Sequence, residues 1–278
     1  MRVTITGASG LIGTKLRAAL EARGDEVIPV SLRDRGPIEL GDVVVHLAGE
    51  NVAQRWTDES RKRIEESRVD GTRRVVEAIN AAETKPTALI SSSAVGYYGK
   101  HGDEKLDEST PPGDDFLARV CVAWEHEAQQ AQTRVVLIRT GVVLDKSAGA
   151  LAKMLLPFKL GVGGPVAGGD QYMPWIHLDD VVGIYLAAID DASWTGPVNA
   201  TAPEPVTNKE FSRALGRALH RPAIAPIPGF AIRSLYGDMA EIVTEGQRAV
   251  PKRTLELGYR FLYTDLEDAL KKATSAPA

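Results

Sequence analysis

Short apolar runs alternate with longer amphipathic stretches from the first residues onward. That is the pattern of a parallel sheet whose strands are joined by helices. Residues 3–6 read as a short buried strand, and residues 11–23 as a helix stopped at Gly24. Residues 27–30 form the second strand and 43–47 the third, Val43-Val44-Val45-His46-Leu47. Residues 60–82 carry apolar positions at Ile64, Val69, Val75, Val76 and Ile79, the spacing of one helix face. Residues 88–90 predict a fourth strand, and a polar, proline-bearing loop over 99–115 leads to a helix from Phe116 to about Gln130. Residues 135–138 predict a fifth strand.

After Asp145 the rhythm changes. Glycines and prolines crowd residues 161–174, a segment with few helix or strand signals. A helix over about 178–189 and a strand at Val198-Asn199-Ala200 then restore the earlier pattern, before a proline-rich stretch over 203–228. The division this implies is a dinucleotide-binding core of residues 1–150 plus about 172–202. A smaller substrate lobe takes about 151–171 and 203–278. The fold class is α/β: a doubly wound, mostly parallel Rossmann sheet with a smaller C-terminal lobe.

Composition narrows the function. A hydrophobic share of 44% with 25% charged residues suits a chain that buries a sizeable core. The formal net charge of −4 argues against nucleic acid or an anionic membrane as the main partner. Arg61-Lys62-Arg63 and Lys271-Lys272 have acidic residues close by and read as solvated helix faces. The single cysteine, Cys121, sits in a helical apolar setting and reads as buried rather than reactive. No stretch is apolar for long enough to span a bilayer. The chain enters its first strand after one arginine, so a cytoplasmic protein is expected.

The first strand runs into Gly7-Ala8-Ser9-Gly10-Leu11-Ile12-Gly13, and a helix follows at once. Gly7 allows the tight turn, Gly10 lets the backbone approach a pyrophosphate, and Gly13 lets helix and strand pack closely. The helix start at Leu11 and Ile12 then offers unpaired N–H groups and a positive dipole end to phosphate. In such units an acidic residue at the end of the second strand bonds the ribose 2′-OH of NAD. Here Ser31 stands at that place, and Arg33 or Arg35 can meet a 2′-phosphate, which favours NADP(H). Asp34 is the alternative, since a small register shift brings it to the ribose. Ligands of open parallel sheets lie outside the carboxyl ends of the strands, so Leu47, Ala48 and Gly49 should flank the cofactor. His46, between apolar neighbours, reads as a packed strand residue. His177, Asp179 and Asp180 read as a helix start, with Asp179 as N-cap and His177 as support. Their spacing does not suggest a metal site.

These features, with Ser91-Ser92-Ser93-Ala94-Val95-Gly96-Tyr97-Tyr98-Gly99 and Trp175-Ile176-His177-Leu178-Asp179-Asp180-Val181, resemble the extended short-chain dehydrogenase/reductases. That class includes nucleotide-sugar epimerases and dehydratases. More narrowly the chain resembles the YfcH-like, epimerase-family subgroup. Leu47 to Asn51, Arg55-Trp56, Ser67-Arg68, Leu155-Leu156-Pro157-Phe158 and Glu245-Gly246-Gln247-Arg248-Ala249-Val250-Pro251 carry that likeness. The resemblance implies that Arg68 approaches the cofactor, that the loop holding Gly141 to Val143 passes the nicotinamide, and that Ser93 orients a substrate carbonyl. It also implies a homodimer through helices such as 60–82 and 116–130.

One expected feature is missing. The class usually places a tyrosine, with a lysine four residues later, on the helix after the polar loop. Here those positions hold Phe116 and Val120. Phenyl and isopropyl groups neither move a proton nor stabilise a phenolate. Tyr97, and after it Tyr98, is the nearest phenol that can take the role of acid, unless both only pack. The reading is an NADP(H)-dependent oxidoreductase acting on a small carbonyl or sugar-type substrate, with Ser93 and Tyr97 as catalytic candidates. A sugar-nucleotide epimerase is the nearest enzyme alternative. A cofactor-binding regulatory protein, related to cell division, is the alternative from another class.

Overall fold

The computed structural model describes residues 1–34 and 36–275. Its centre is a six-stranded sheet of β1 (Arg2–Thr6), β2 (Glu26–Val30), β3 (Val43–His46), β4 (Ala88–Ala94), β5 (Arg134–Thr140) and β6 (Gly196–Ala200). The order across the sheet is β2-β1-β3-β4-β5-β6, and every pairing is parallel. Strand alternation decides which side chains meet which helices. Val3, Ile5, Val43, Val45, Ala88, Ile90, Val136 and Ile138 face one way. There they pack on α1 (Leu11–Ala22) and α5 (Leu178–Asp190). Val44, Leu89 and Leu137 face the other way, onto Val75, Val76 and Ile79 of α2 (Asp58–Ala81) and Ala128 of α3 (Phe116–Ala128). Both faces are covered, which is why the strands read as continuous apolar runs.

A second core lies beyond the sheet. Leu151, Leu155 and Phe158 of α4 (Gly149–Lys159) meet Phe211 and Leu215 of α6 (Asn208–Ala218) there. Leu266 and Leu270 of the helix Leu266–Thr274 close it from the C-terminal side. The sequence pattern gave no helix at α4. Pro157 sits inside it near the C-terminal end, where the proline and the glycines just beyond hide a good helical run over 150–156.

Strand β4 also extends past the expected 88–90, through Ser91, Ser92 and Ser93. Small polar residues read as a loop, yet Ser91 and Ser93 are buried and each serine hydroxyl has a partner. Among the described residues, no helix is long and apolar enough to cross a membrane.

Candidate functional site

The register brings three chain segments to one level. Thr6, the last residue of β1, pairs with Val30 of β2 on one side and His46 of β3 on the other. Gly7, Ser31 and Leu47 therefore leave the sheet together. The connection from β1 goes to β2 on one side while β3 lies on the other, so this is the switch point where a crevice opens in such sheets.

The glycine turn is built for close approach. Gly7 has φ +71°, and a Cβ there would lie 2.8 Å from the Ala48 amide nitrogen. At Gly13 a Cβ would fall 2.3 Å from the Gly7 carbonyl oxygen. Gly10 differs: it is exposed, its backbone is extended, and a Cβ would meet only the Gly7 oxygen at 3.3 Å. Gly10 is the N-cap of α1 and supplies no side-chain cap, so the first amides of the helix, at Leu11 and Ile12, keep their N–H groups for a ligand. Leu11, Ile12, Leu47 and Val143 lie half-buried on the same core cluster. The residues present thus fit the pyrophosphate of a dinucleotide, because the one position that must admit it is the one left open.

On the β2 side, Ser31, Arg33 and Asp34 are exposed, and Arg35 lies outside the described residues. On the β3 side, Arg68 of α2 is not a solvated helix arginine. Its guanidinium sits 3.2 Å from where a Gly49 Cβ would be and donates to the Glu50 carbonyl at 3.0 Å. It also stacks on Trp124 at 5.1 Å. Burial pushes its pKa down, against the nearby Cys121 and Glu50. His46 is buried between Thr6 and Thr72, at 2.6 Å and 3.0 Å, and burial holds its pKa down at about 4. Cys121 is buried as well, with its thiol pushed up to about 12 by burial.

Beyond Ser91, β4 continues beside β5, pairing Ser93 with Arg139 and Ala94 with Thr140. Arg139 and Glu125 form a fork of two 2.8 Å bonds, and both side chains are almost wholly buried. Burial works against the arginine charge, but the bonds to Glu125 outweigh it and its pKa stands raised. Ser93 donates to Glu125 Oε1 at 2.6 Å, so its single hydroxyl proton is committed to the ion pair rather than turned to the crevice. The turn Val95–Tyr98 then places the two tyrosines differently. Tyr98 is fully buried, donates to Asn199 Oδ1 at 2.7 Å, and has its pKa pushed up to about 12 by burial. Tyr97 is half-buried, with the Arg139 guanidinium 3.4 Å from its ring centre and no hydroxyl partner among the described residues.

Phe116 and Val120 open α3. Phe116 packs edge-on to Trp56 at 5.2 Å, and Val120 is buried. At the start of α5 the expected roles are exchanged. His177 is the N-cap, its Nδ1 accepting from the Asp179 amide at 3.1 Å, while Asp179 pairs with Lys15 at 3.3 Å. Burial is the main cause holding the His177 pKa down, which leaves the lone pair that capping needs. Asp180 is buried and accepts from the amides of Leu262 and Tyr263 at 2.7 Å and 3.0 Å. Among the described residues, no group of three or more His, Cys, Asp or Glu side chains is placed to hold a metal.

The sequence reading missed Glu125, Arg139 and Arg74. A signal existed for the first two: a charge within the buried run Arg134–Thr140 requires a buried counter-charge, and Glu125 lies on the inner face of α3.

The parallel sheet and the glycine turn at its switch point define a Rossmann-type protein of the short-chain dehydrogenase/reductase class. Comparison with known proteins places it further. The chain belongs to the NAD dependent epimerase/dehydratase family, whose profile matches residues 38–199. Residues 227–273 match a domain of unknown function, DUF1731. The chain is similar to the mouse epimerase family protein SDR39U1, at 40% identity over 98% of this chain and 99% of the relative. It is also similar to the chloroplastic SDR39U1 homologue of Arabidopsis thaliana, at 39% identity over 98% of this chain and 86% of the relative. The crystal structure of human SDR39U1 with NADPH superposes with a TM-score of 0.94, at 38% identity over 98% of this chain and 99% of that one.

Proposed function

We propose that this chain is an NADP(H)-dependent oxidoreductase acting on a small carbonyl or sugar-type substrate in the cytoplasm. The observation that carries the reading is the open glycine turn at the switch point, level with Ser31 and flanked by the exposed Arg33. The NADPH in the human relative's crystal structure supports it. Gly7, Gly10, Leu11, Ile12 and Gly13 would hold the pyrophosphate, and Ser31 and Arg33 the 2′-phosphate. Leu47, Ala48, Gly49, Arg68 and Val143 would line the path to the nicotinamide.

When bound, the reduced nicotinamide supplies hydride, and the protein's part is to orient the carbonyl and give its oxygen a proton. Tyr97 would give that proton, since Tyr98 is buried and the family resemblance puts Phe116 and Val120 at the positions of the usual tyrosine and lysine. A neutral phenol donates without a lysine neighbour, but abstracts a proton poorly. This favours reduction over epimerisation, which must begin by removing one. Ser93 reaches a substrate oxygen only by leaving Glu125, and in the arrangement described its role is to hold the ion pair beside Tyr97.

One observation favours a second reading, a cofactor-binding regulatory protein with little turnover: Ser93 is committed to Glu125, which agrees with the reading that Phe116 and Val120 replace the tyrosine–lysine pair. Calorimetric titration with NADPH and with NADH, followed by NADPH oxidation across a panel of carbonyl compounds, tests both readings. Tight NADPH binding with turnover supports the enzyme; tight binding with none across the panel supports the regulator; no binding of either nucleotide sinks both. The proposed homodimer is checked by light scattering. The exposed face of α2 carries Glu59, Lys62, Arg63, Glu65, Glu66, Asp70, Arg73 and Glu77, so pairing through it should weaken in salt.

A further inference from the structure

The turn after β2 is exposed at Ser31, Arg33 and Asp34, and only Leu32 packs inward, on the cluster beneath α2. Such a turn has little of its own to fix it. Its backbone is instead caught from α2. Arg74 Nη1 donates to the Leu32 carbonyl at 2.7 Å and Nη2 to the Asp34 carbonyl at 3.2 Å. One helical turn earlier, a Cβ added at Gly71 would lie 3.4 Å from Leu32 Cδ1, so the turn leaves little room there for a side chain on the helix. The neighbouring Arg73 is paired with Asp70 and Glu127. Arg74 has no carboxylate partner among the described residues, and both its contacts are to neutral carbonyls. An uncompensated positive charge therefore stands half-buried at the carboxyl end of β2.

We propose that Arg74 sets the preference for a 2′-phosphorylated dinucleotide. It does so as a positioning residue: its planar fork spans two carbonyls two residues apart and so presents Ser31 and Arg33 to the phosphate. Its unneutralised charge also adds to the field there. A lysine brings its three donors on one nitrogen at the end of a flexible stem, so it holds the two carbonyls less rigidly than the planar fork. The inference rests on the NADP(H) reading above and names a residue outside the strand-end motif.

The test is calorimetric titration of the full chain with NADPH and with NADH, for wild type, Arg74→Ala, Arg74→Lys and Arg33→Ala, at low and high salt. Arg74→Ala should weaken NADPH by about tenfold or more and NADH by less than about twofold, with Arg74→Lys between it and wild type. The NADPH:NADH ratio of wild type should narrow in high salt more than that of Arg74→Ala. Thermal melting of both variants separates a local effect from unfolding, and Arg74→Lys keeps the test open if Arg74→Ala folds poorly. A wild-type ratio in Arg74→Ala, or equal losses for both nucleotides, overturns the proposal. If Arg33→Ala loses selectivity and Arg74→Ala keeps it, the NADP(H) reading stands and the role of Arg74 falls. If wild type shows no preference for NADPH, both fall together.

Discussion

The sharpest test of the crevice is Gly10→Val. Gly10 has φ −75° and ψ 174°, a conformation any residue adopts, and it is exposed. Its Cβ would meet only the Gly7 carbonyl oxygen, at 3.3 Å. Replacing a glycine N-cap by an aliphatic residue costs about 0.5–1 kcal/mol, which in a chain of this size lowers Tm by roughly 1–4 °C. The valine methyl groups, however, fill the space in front of the Leu11 and Ile12 amides. Two charge-assisted hydrogen bonds lost at about 1.5–3 kcal/mol each weaken pyrophosphate binding by roughly two to four orders of magnitude. Calorimetric titration with NADPH beside a thermal melt reads both quantities. Gly13→Ala is the contrast: its Cβ would lie 2.3 Å from the Gly7 oxygen and 2.8 Å from Ala8 Cα, so stability and binding should fall together. Unchanged NADPH affinity in a folded Gly10→Val protein would refute the placement of the phosphate.

Other substitutions separate the roles of the buried residues. Tyr97→Phe should abolish carbonyl turnover while leaving NADPH affinity and Tm nearly unchanged; retained turnover removes Tyr97 as the acid. Tyr98→Phe should instead cost about 1–2 kcal/mol in urea unfolding, because Asn199 and Arg139 lose a buried partner. Glu125→Gln leaves the Arg139 charge uncompensated and should cost about 3–5 kcal/mol, a figure contradicted by a loss below about 1 kcal/mol. His46 makes stability depend on pH. Its folded pKa, about 4, lies below the ordinary histidine value of 6.5, so its contribution is complete above pH 6.5 and lost as pH falls towards 4. The loss amounts to about 3 kcal/mol, and His46→Asn should flatten the urea-midpoint profile across that window.

What the sequence made legible is what depends on local spacing. The glycine turn, the packed His46 and the buried Cys121 could all be read from neighbours within a few positions. What it hid depends on partners far along the chain. Ser91 to Ser93 look like a loop until Glu125 and Tyr185 are seen to satisfy Ser93 and Ser92 inside a sheet. Arg74 looks like one more helix arginine until it is found holding a turn 40 residues away. At the start of α5, both His177 and Asp179 are good capping types, and only the backbone decided that the histidine accepts the amide. Helix α4 was lost to a real but weak rule: proline near the C-terminal end of a helix interrupts less than proline at its centre.

The C-terminal piece has a consequence for how the chain is made. Buried Asp180 takes its amide partners from Leu262 and Tyr263, and the side-chain amide of Asn199, on the edge strand β6, donates to the Val250 carbonyl. A ribosome delivers those partners after every strand of the sheet. The dinucleotide turn, complete within the first fifty residues, emerges long before the sheet edge that closes the molecule can be satisfied. A nascent chain thus presents its cofactor turn while Asp180 still depends on water. Synthesis through residue 263 supplies its partners, and a stop codon before residue 250 would leave buried Asp180 permanently without Tyr259, Leu262 and Tyr263.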